Sequence, residues 1–127
     1  MAKILGLGVF MTSPDPKALG EWYARAMGLN IQPWNGVAFD PKAMAAHSGA
    51  AQILSFFNKG SDYLKPSTRD FMINLVVDDI DGMLARLHEH GVDPTWRDDN
   101  DPNGRFAHIL DPDGNKVELW QPPKPEA

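Results

Sequence analysis

The chain has 127 residues, 43% of them apolar and 23% charged, with a formal net charge of −5 and no cysteine. That length fits one domain with room for a proper core. Without thiols, disulfides and thiolate metal sites are excluded, and with no basic patch nucleic acid is not expected as a main partner. Any metal would be held by His, Asp, Glu or water. The opening stretch, "MAKILGLGVFMT", is too short and too broken by glycine for a signal peptide or a membrane span. The expected setting is the cytoplasm.

Residues 4–12, "ILGLGVFMT", read as a strand. Leu5, Leu7, Val9 and Met11 share one face; Gly6, Gly8, Phe10 and Thr12 share the other. "SPDP" ends that strand and opens a helix. Asp15 suits the N-cap and Pro16 the first helical position. Leu19, Trp22, Tyr23 and Ala26 then recur at helical spacing, and Gly28 stands where a C-terminal stop belongs. Short strands are expected at about 30–34, 36–39 and 51–57, with a loop or short helical turn at 40–50 that carries His47. Residues 58–69, "NKGSDYLKPSTR", read as a linker.

The grammar then repeats. "DFMINLVV" (70–77) reads as a strand with Phe71, Ile73, Leu75 and Val77 on one face and Met72, Asn74 and Val76 on the other. Asp78 and Asp79 open a helix whose apolar face is Ile80, Met83, Leu84 and Leu87, and Gly91 closes it. His88 and His90 fall in its last turn, where a favourable interaction with the helix C-terminus accounts for them. Strands are expected at 93–97, 105–110 and 115–121. "RDDND" (97–101) reads as a solvated acidic loop, and the tail "QPPKPEA" as an extended end. The capping aspartates Asp15 and Asp78, and the glycines Gly28 and Gly91, are offset by the same interval. The expected fold is α+β: one domain over 1–127 built from two βαβββ modules, about 4–57 and 70–121, forming a curved mixed-sheet cleft.

"DPDGN" (111–115) is a hairpin turn signal, and it sets a register. With Leu110 opposite Lys116, Ile109 faces Val117 and His108 faces Glu118. His108, Glu118, Phe106 and Trp120 then share the face turned away from the helices. Phe10, Thr12, Met72, Asn74 and Val76 belong to the same wall. A few polar groups in an apolar and aromatic lining suit a small-molecule pocket. A His–Glu pair there can serve acid–base chemistry or act as a simple hydrogen-bonded pair.

The order of "DPKALGEWYARAMGL", "INLVVDDID" and "DPDGNKVELWQP" resembles the vicinal oxygen chelate superfamily, which includes glyoxalase I, extradiol dioxygenases and bleomycin-binding proteins. The resemblance covers the chain from Ile4 to about Pro122. It implies a metal ligand in the first strand, where Gly8 aligns, and another at Met72. A third falls within "AQILSFF", which offers only Gln52 and Ser55, and the last is Glu118. Glycine has no donor and a thioether is a soft, weak one, so only Glu118 suits a divalent ion. Three functions follow from the resemblance. The first is a bleomycin-resistance-type protein that binds a small organic ligand in an aromatic cleft lined by Phe10, Thr12, Ser55, Met72, Asn74, Phe106 and Trp120, without a cofactor. The second is a metal-dependent lyase, isomerase or dioxygenase acting through Glu118. The third is a metal-free acid–base enzyme using His108 and Glu118. The resemblance also implies a homodimer.

Overall fold

The computed structural model describes residues 1–123, so the last residues of the expected extended tail lie outside the described residues. In chain order its elements are α1 (Pro16–Met27), α2 (Pro41–Ala45), β1 (Ile73–Val76), α3 (Ile80–Glu89), β2 (Trp96–Asp101), β3 (Gly104–Leu110) and β4 (Lys116–Gln121). The second half forms the expected βαβββ unit, a four-stranded mixed sheet in the order β1-β4-β3-β2. β1 runs parallel to β4, and the other two pairs are antiparallel.

Local signals set the helix ends. The Asp15 carboxylate accepts the Ala18 N–H at 3.0 Å, and Gly28 closes α1 in the left-handed region at φ 73°. Asp79 caps α3 in the same way through the Gly82 N–H. Leu19, Trp22, Tyr23, Ala26 and Met27 of α1 join Ile80, Leu84 and Leu87 of α3 on one side of the sheet. The sheet supplies Ala107, Ile109, Val117 and Leu119, all fully buried. A polar link reinforces this apolar contact. The Tyr23 hydroxyl donates to the buried Asp111 carboxylate at 2.7 Å, tying α1 to the β3–β4 turn.

"RDDND" is not a loop: it lies in β2, the far edge strand. Its charges are used locally, with Arg97 and Arg105 bridging Asp99 on the sheet to Asp81 on α3. Gly104 (φ 127°) makes the tight β2–β3 connection, where a side chain would run into the Gln121 carbonyl.

The first half differs from expectation. Its helix forms, and the 40–50 segment contains the short helix α2, but residues 4–12, 30–34, 36–39 and 51–57 join no strand ladder. A strand exists through its ladder partners. β3 and β4 are already paired on both sides, and none of these four segments docks on the outer edges of β1 or β2. Among the described residues, the packing of Met11 against the core and a few isolated hydrogen bonds hold the N-terminal segment. Leu7 N–H donates to Gln52 Oε1 at 2.9 Å, and Arg69 donates to the Thr12 carbonyl and hydroxyl. Ile4, Leu5, Phe10 and Phe56 are consequently about nine-tenths exposed or more.

A buried polar cluster as candidate functional site

Alternation along β3 and β4 turns two kinds of side chain to opposite faces. Ile109, Val117 and Leu119 go under the helices, while His108, Lys116 and Glu118 go to the other face. The register is the one the turn implied, with His108 opposite Glu118 and Leu110 opposite Lys116. Parallel pairing brings Asn74 of β1 beside Glu118 from the other side.

Glu118 gathers three donors from three segments. Its Oε1 accepts from Asn74 Nδ2 at 2.8 Å. Its Oε2 accepts from His108 Nε2 at 2.8 Å and from the Tyr63 hydroxyl. A carboxylate only accepts, so His108 carries its proton on Nε2. His108 and Glu118 are 3% and 7% exposed. Burial works to raise the Glu118 pKa, but His108, Tyr63 and Asn74 together outweigh it and hold the carboxyl below its ordinary range. Burial, then the bond to Glu118, pushes the Tyr63 phenol up, so it stays a neutral donor.

Aromatic rings surround the cluster. Trp96, the cross-strand neighbour of His108, lies over the imidazole at 4.5 Å between ring centres. Tyr63 meets the same imidazole edge-on at 5.1 Å, and Phe57 lies 5.2 Å from Tyr63. Further along the face, Phe106 and Trp120 stack nearly parallel at 6.4 Å.

The structure therefore brings His108, Glu118 and Asn74 into direct contact, with Phe106 and Trp120 on the same face. It does not bring Phe10, Thr12 or Ser55 to them: all three are exposed, and Thr12 is held by Arg69 instead. Met72 is half-buried just before β1. The face is not an open cavity at Glu118, because Tyr63 covers it. His47 lines a separate cleft of about 590 Å³ with Phe39, Met44, Val76, Met83 and Gln121.

Sequence reasoning missed Tyr63 and Lys116. Tyr63 sits in a segment with no periodicity, and its one signal was an aromatic residue inside a polar linker. The signal for Lys116 was parity: it precedes Glu118 by two residues and so shares its face.

A divalent ion does not fit this donor set. Both Glu118 oxygens are taken by protein donors, Gly8 offers nothing, and among the described residues no three His, Asp or Glu side chains converge.

A model of the glyoxalase-like domain matches residues 8–120. The chain belongs to the glyoxalase-like domain family. With its structural neighbours, that match places the chain in the vicinal oxygen chelate superfamily. TnmS3, an antibiotic binding protein from Streptomyces sp. CB03234, is 25% identical over 97% of this chain and 99% of its own, with a TM-score of 0.60. A glyoxalase family protein from Bacillus anthracis shares the fold at 17% identity and a TM-score of 0.56, over 97% of this chain and all of its own. A glyoxalase/bleomycin resistance protein from Catenulispora acidiphila is 34% identical over 41% of this chain, with a TM-score of 0.36. The match spans 47% of that protein's length, and 42% of a second such protein from Streptomyces sp. CB03234. No curated protein matches the chain.

Proposed function

We propose that this glyoxalase-like protein binds a small, planar organic molecule against the Trp96, Phe106 and Trp120 face, without a metal. The observation that carries this reading is the full use of Glu118. The carboxylate at the family's last ligand position serves as a hydrogen-bond hub for Tyr63, His108 and Asn74, walled by aromatic rings. Likeness to an antibiotic binding protein over nearly the whole chain supports a small organic ligand of that class. The net charge of −5 favours a cationic one.

Acid–base catalysis by His108 and Glu118 is the second reading, favoured by their 2.8 Å contact in a buried site. It is the weaker one. A general base works best with a pKa near the working pH, and Glu118 is held in the opposite direction.

The test has two arms. After incubation with Ni, Zn, Mn and Fe and desalting, elemental mass spectrometry is expected to find no retained ion. In a thermal-shift screen of planar aromatic antibiotics, at least one compound is expected to raise the melting temperature, and Trp96→Ala to abolish that rise. One tight ion per chain, lost in Glu118→Ala, would overturn the metal-free reading. A screen without hits would overturn the ligand class.

We further propose that the protein is a cytoplasmic homodimer. Exposed apolar segments of this length are costly in water, and the outer edge of β1 offers unpaired backbone groups. A second copy carries both the apolar surface and the edge that these segments lack. Light scattering coupled to gel filtration is expected to give twice the chain mass, and Phe56→Asp with Leu5→Asp to shift it toward one. A wild-type chain that runs as a monomer at all concentrations tested rules the dimer out.

A further inference from the structure

We infer that Lys116 is a positioning residue: its ammonium group anchors the 61–66 segment to the sheet and so sets the Tyr63 hydroxyl on Glu118. The inference rests on the reading of the Glu118 cluster as the polar floor of a binding site.

The Lys116 Nζ donates to two backbone carbonyls, Tyr63 O at 2.5 Å and Lys65 O at 2.9 Å, and lies 5.3 Å from the centre of the Tyr63 ring. The residue is only 8% exposed. A buried ammonium is tolerated only with such acceptors, so the carbonyls are a condition of its burial. Burial lowers the Lys116 pKa and the Glu118 charge opposes that shift.

Apart from those of the Tyr63 hydroxyl, the segment's other hydrogen bonds among the described residues are local: Ser61 N–H to Asn58 O, Tyr63 N–H to Ser61 Oγ, Lys65 N–H to Asp62 O and Ser67 N–H to Leu64 O. The Lys65–Asp62 ion pair is local too, and exposed. Among the described residues, what joins 61–66 to β3 and β4 by hydrogen bonds is Lys116 on the backbone and the Tyr63 hydroxyl at the tip. Lys116 makes two charge-assisted bonds to the backbone, against the one that the phenol makes to the Glu118 carboxylate. Lys116 therefore sets where the ring lies, and the hydroxyl reads out that position on Glu118.

The chain has two tyrosines, Tyr23 and Tyr63, so ring-labelled tyrosine gives a two-residue NMR spectrum. In the wild type, nuclear Overhauser contacts are expected between Tyr63 and the His108 imidazole, and between Tyr23 and Trp22, whose rings are 4.9 Å apart. Lys116→Met is expected to lose the Tyr63–His108 contacts and keep the Tyr23–Trp22 ones, and Lys116→Arg to restore the lost set. A merely structural role for Lys116 would weaken both sets together. Tyr63→Phe, read with ring-labelled phenylalanine against the wild type, provides an arm that leaves Lys116 in place, and new contacts between the ring at position 63 and His108 are expected. Contacts that survive in Lys116→Met, or a ring that leaves His108 in Tyr63→Phe, would overturn the assignment. A wild type without Tyr63–His108 contacts would instead overturn the cluster itself, and the binding reading with it.

Discussion

Glu118→Ala is expected to lower stability by about 3–5 kcal/mol, because it leaves the buried His108 and the half-buried Tyr63 and Asn74 donors without their acceptor. Glu118→Gln keeps the shape and one acceptor oxygen, so its cost should be smaller, but its amide faces donors where the carboxylate accepted. The pH dependence has a definite sign. The folded carboxyl titrates below its ordinary value of 4.5, so its contribution is complete above that value. It is lost as pH falls from about 4.5 through the lower folded value. In urea unfolding at fixed protein concentration, the gap between wild type and Glu118→Gln should be widest at neutral pH and shrink on acidification. A gap that stays constant across that range would show that the carboxylate is not the hub.

The second large effect lies at Asp111, on the helix side of the same hairpin. Its carboxylate accepts from the Tyr23 hydroxyl at 2.7 Å, from Asn115 Nδ2 at 2.8 Å, and from the backbone N–H groups of Asn115 and Asp113 at 2.9 and 3.0 Å. It is 5% exposed. Asp111→Ala strands several of these donors and loosens the turn that sets the His108–Glu118 register. The expected loss is about 3 kcal/mol. Tyr23→Phe removes one donor and should cost about 1 kcal/mol. Because both changes act on one network, the double variant should unfold close to Asp111→Ala alone. Full additivity of the two losses would mean that Tyr23 and Asp111 act independently.

Much of this was legible in the chain. Asp15, Gly28, Asp79 and the spacing of Leu19, Trp22 and Tyr23 marked the helices, because caps and periodicity are local causes. "DPDGN" gave the register that puts His108 against Glu118, since a tight turn fixes pairing at a distance of a few residues. Tyr63 was not legible. It reaches Glu118 from a polar segment, and what carries it there is the buried Lys116, which acts through backbone carbonyls that no side-chain pattern reports. β2 was misread because its residues are charged. An edge strand can be polar when arginines on one face find carboxylates on a helix, as Arg97 does with Asp81. The first-half segments had the right alternation for strands. Alternation says which face is apolar; it does not supply the neighbour that a ladder needs.

The strand order carries a consequence for how the chain folds. β4 lies between β1 and β3, although it is the last of the four in sequence. The β3–β4 hairpin closes about five residues, whereas β1 meets β4 only after closing a loop of roughly forty, at a higher entropic cost. β1 also takes a parallel partner, which no tight turn can deliver. The hairpin is thus the natural nucleus, and α3 with β1 is captured onto it afterwards. Asn74, carried on β1, and Tyr63, farther still in sequence, then reach Glu118 after His108, so the cluster completes only when its long-range contacts have formed.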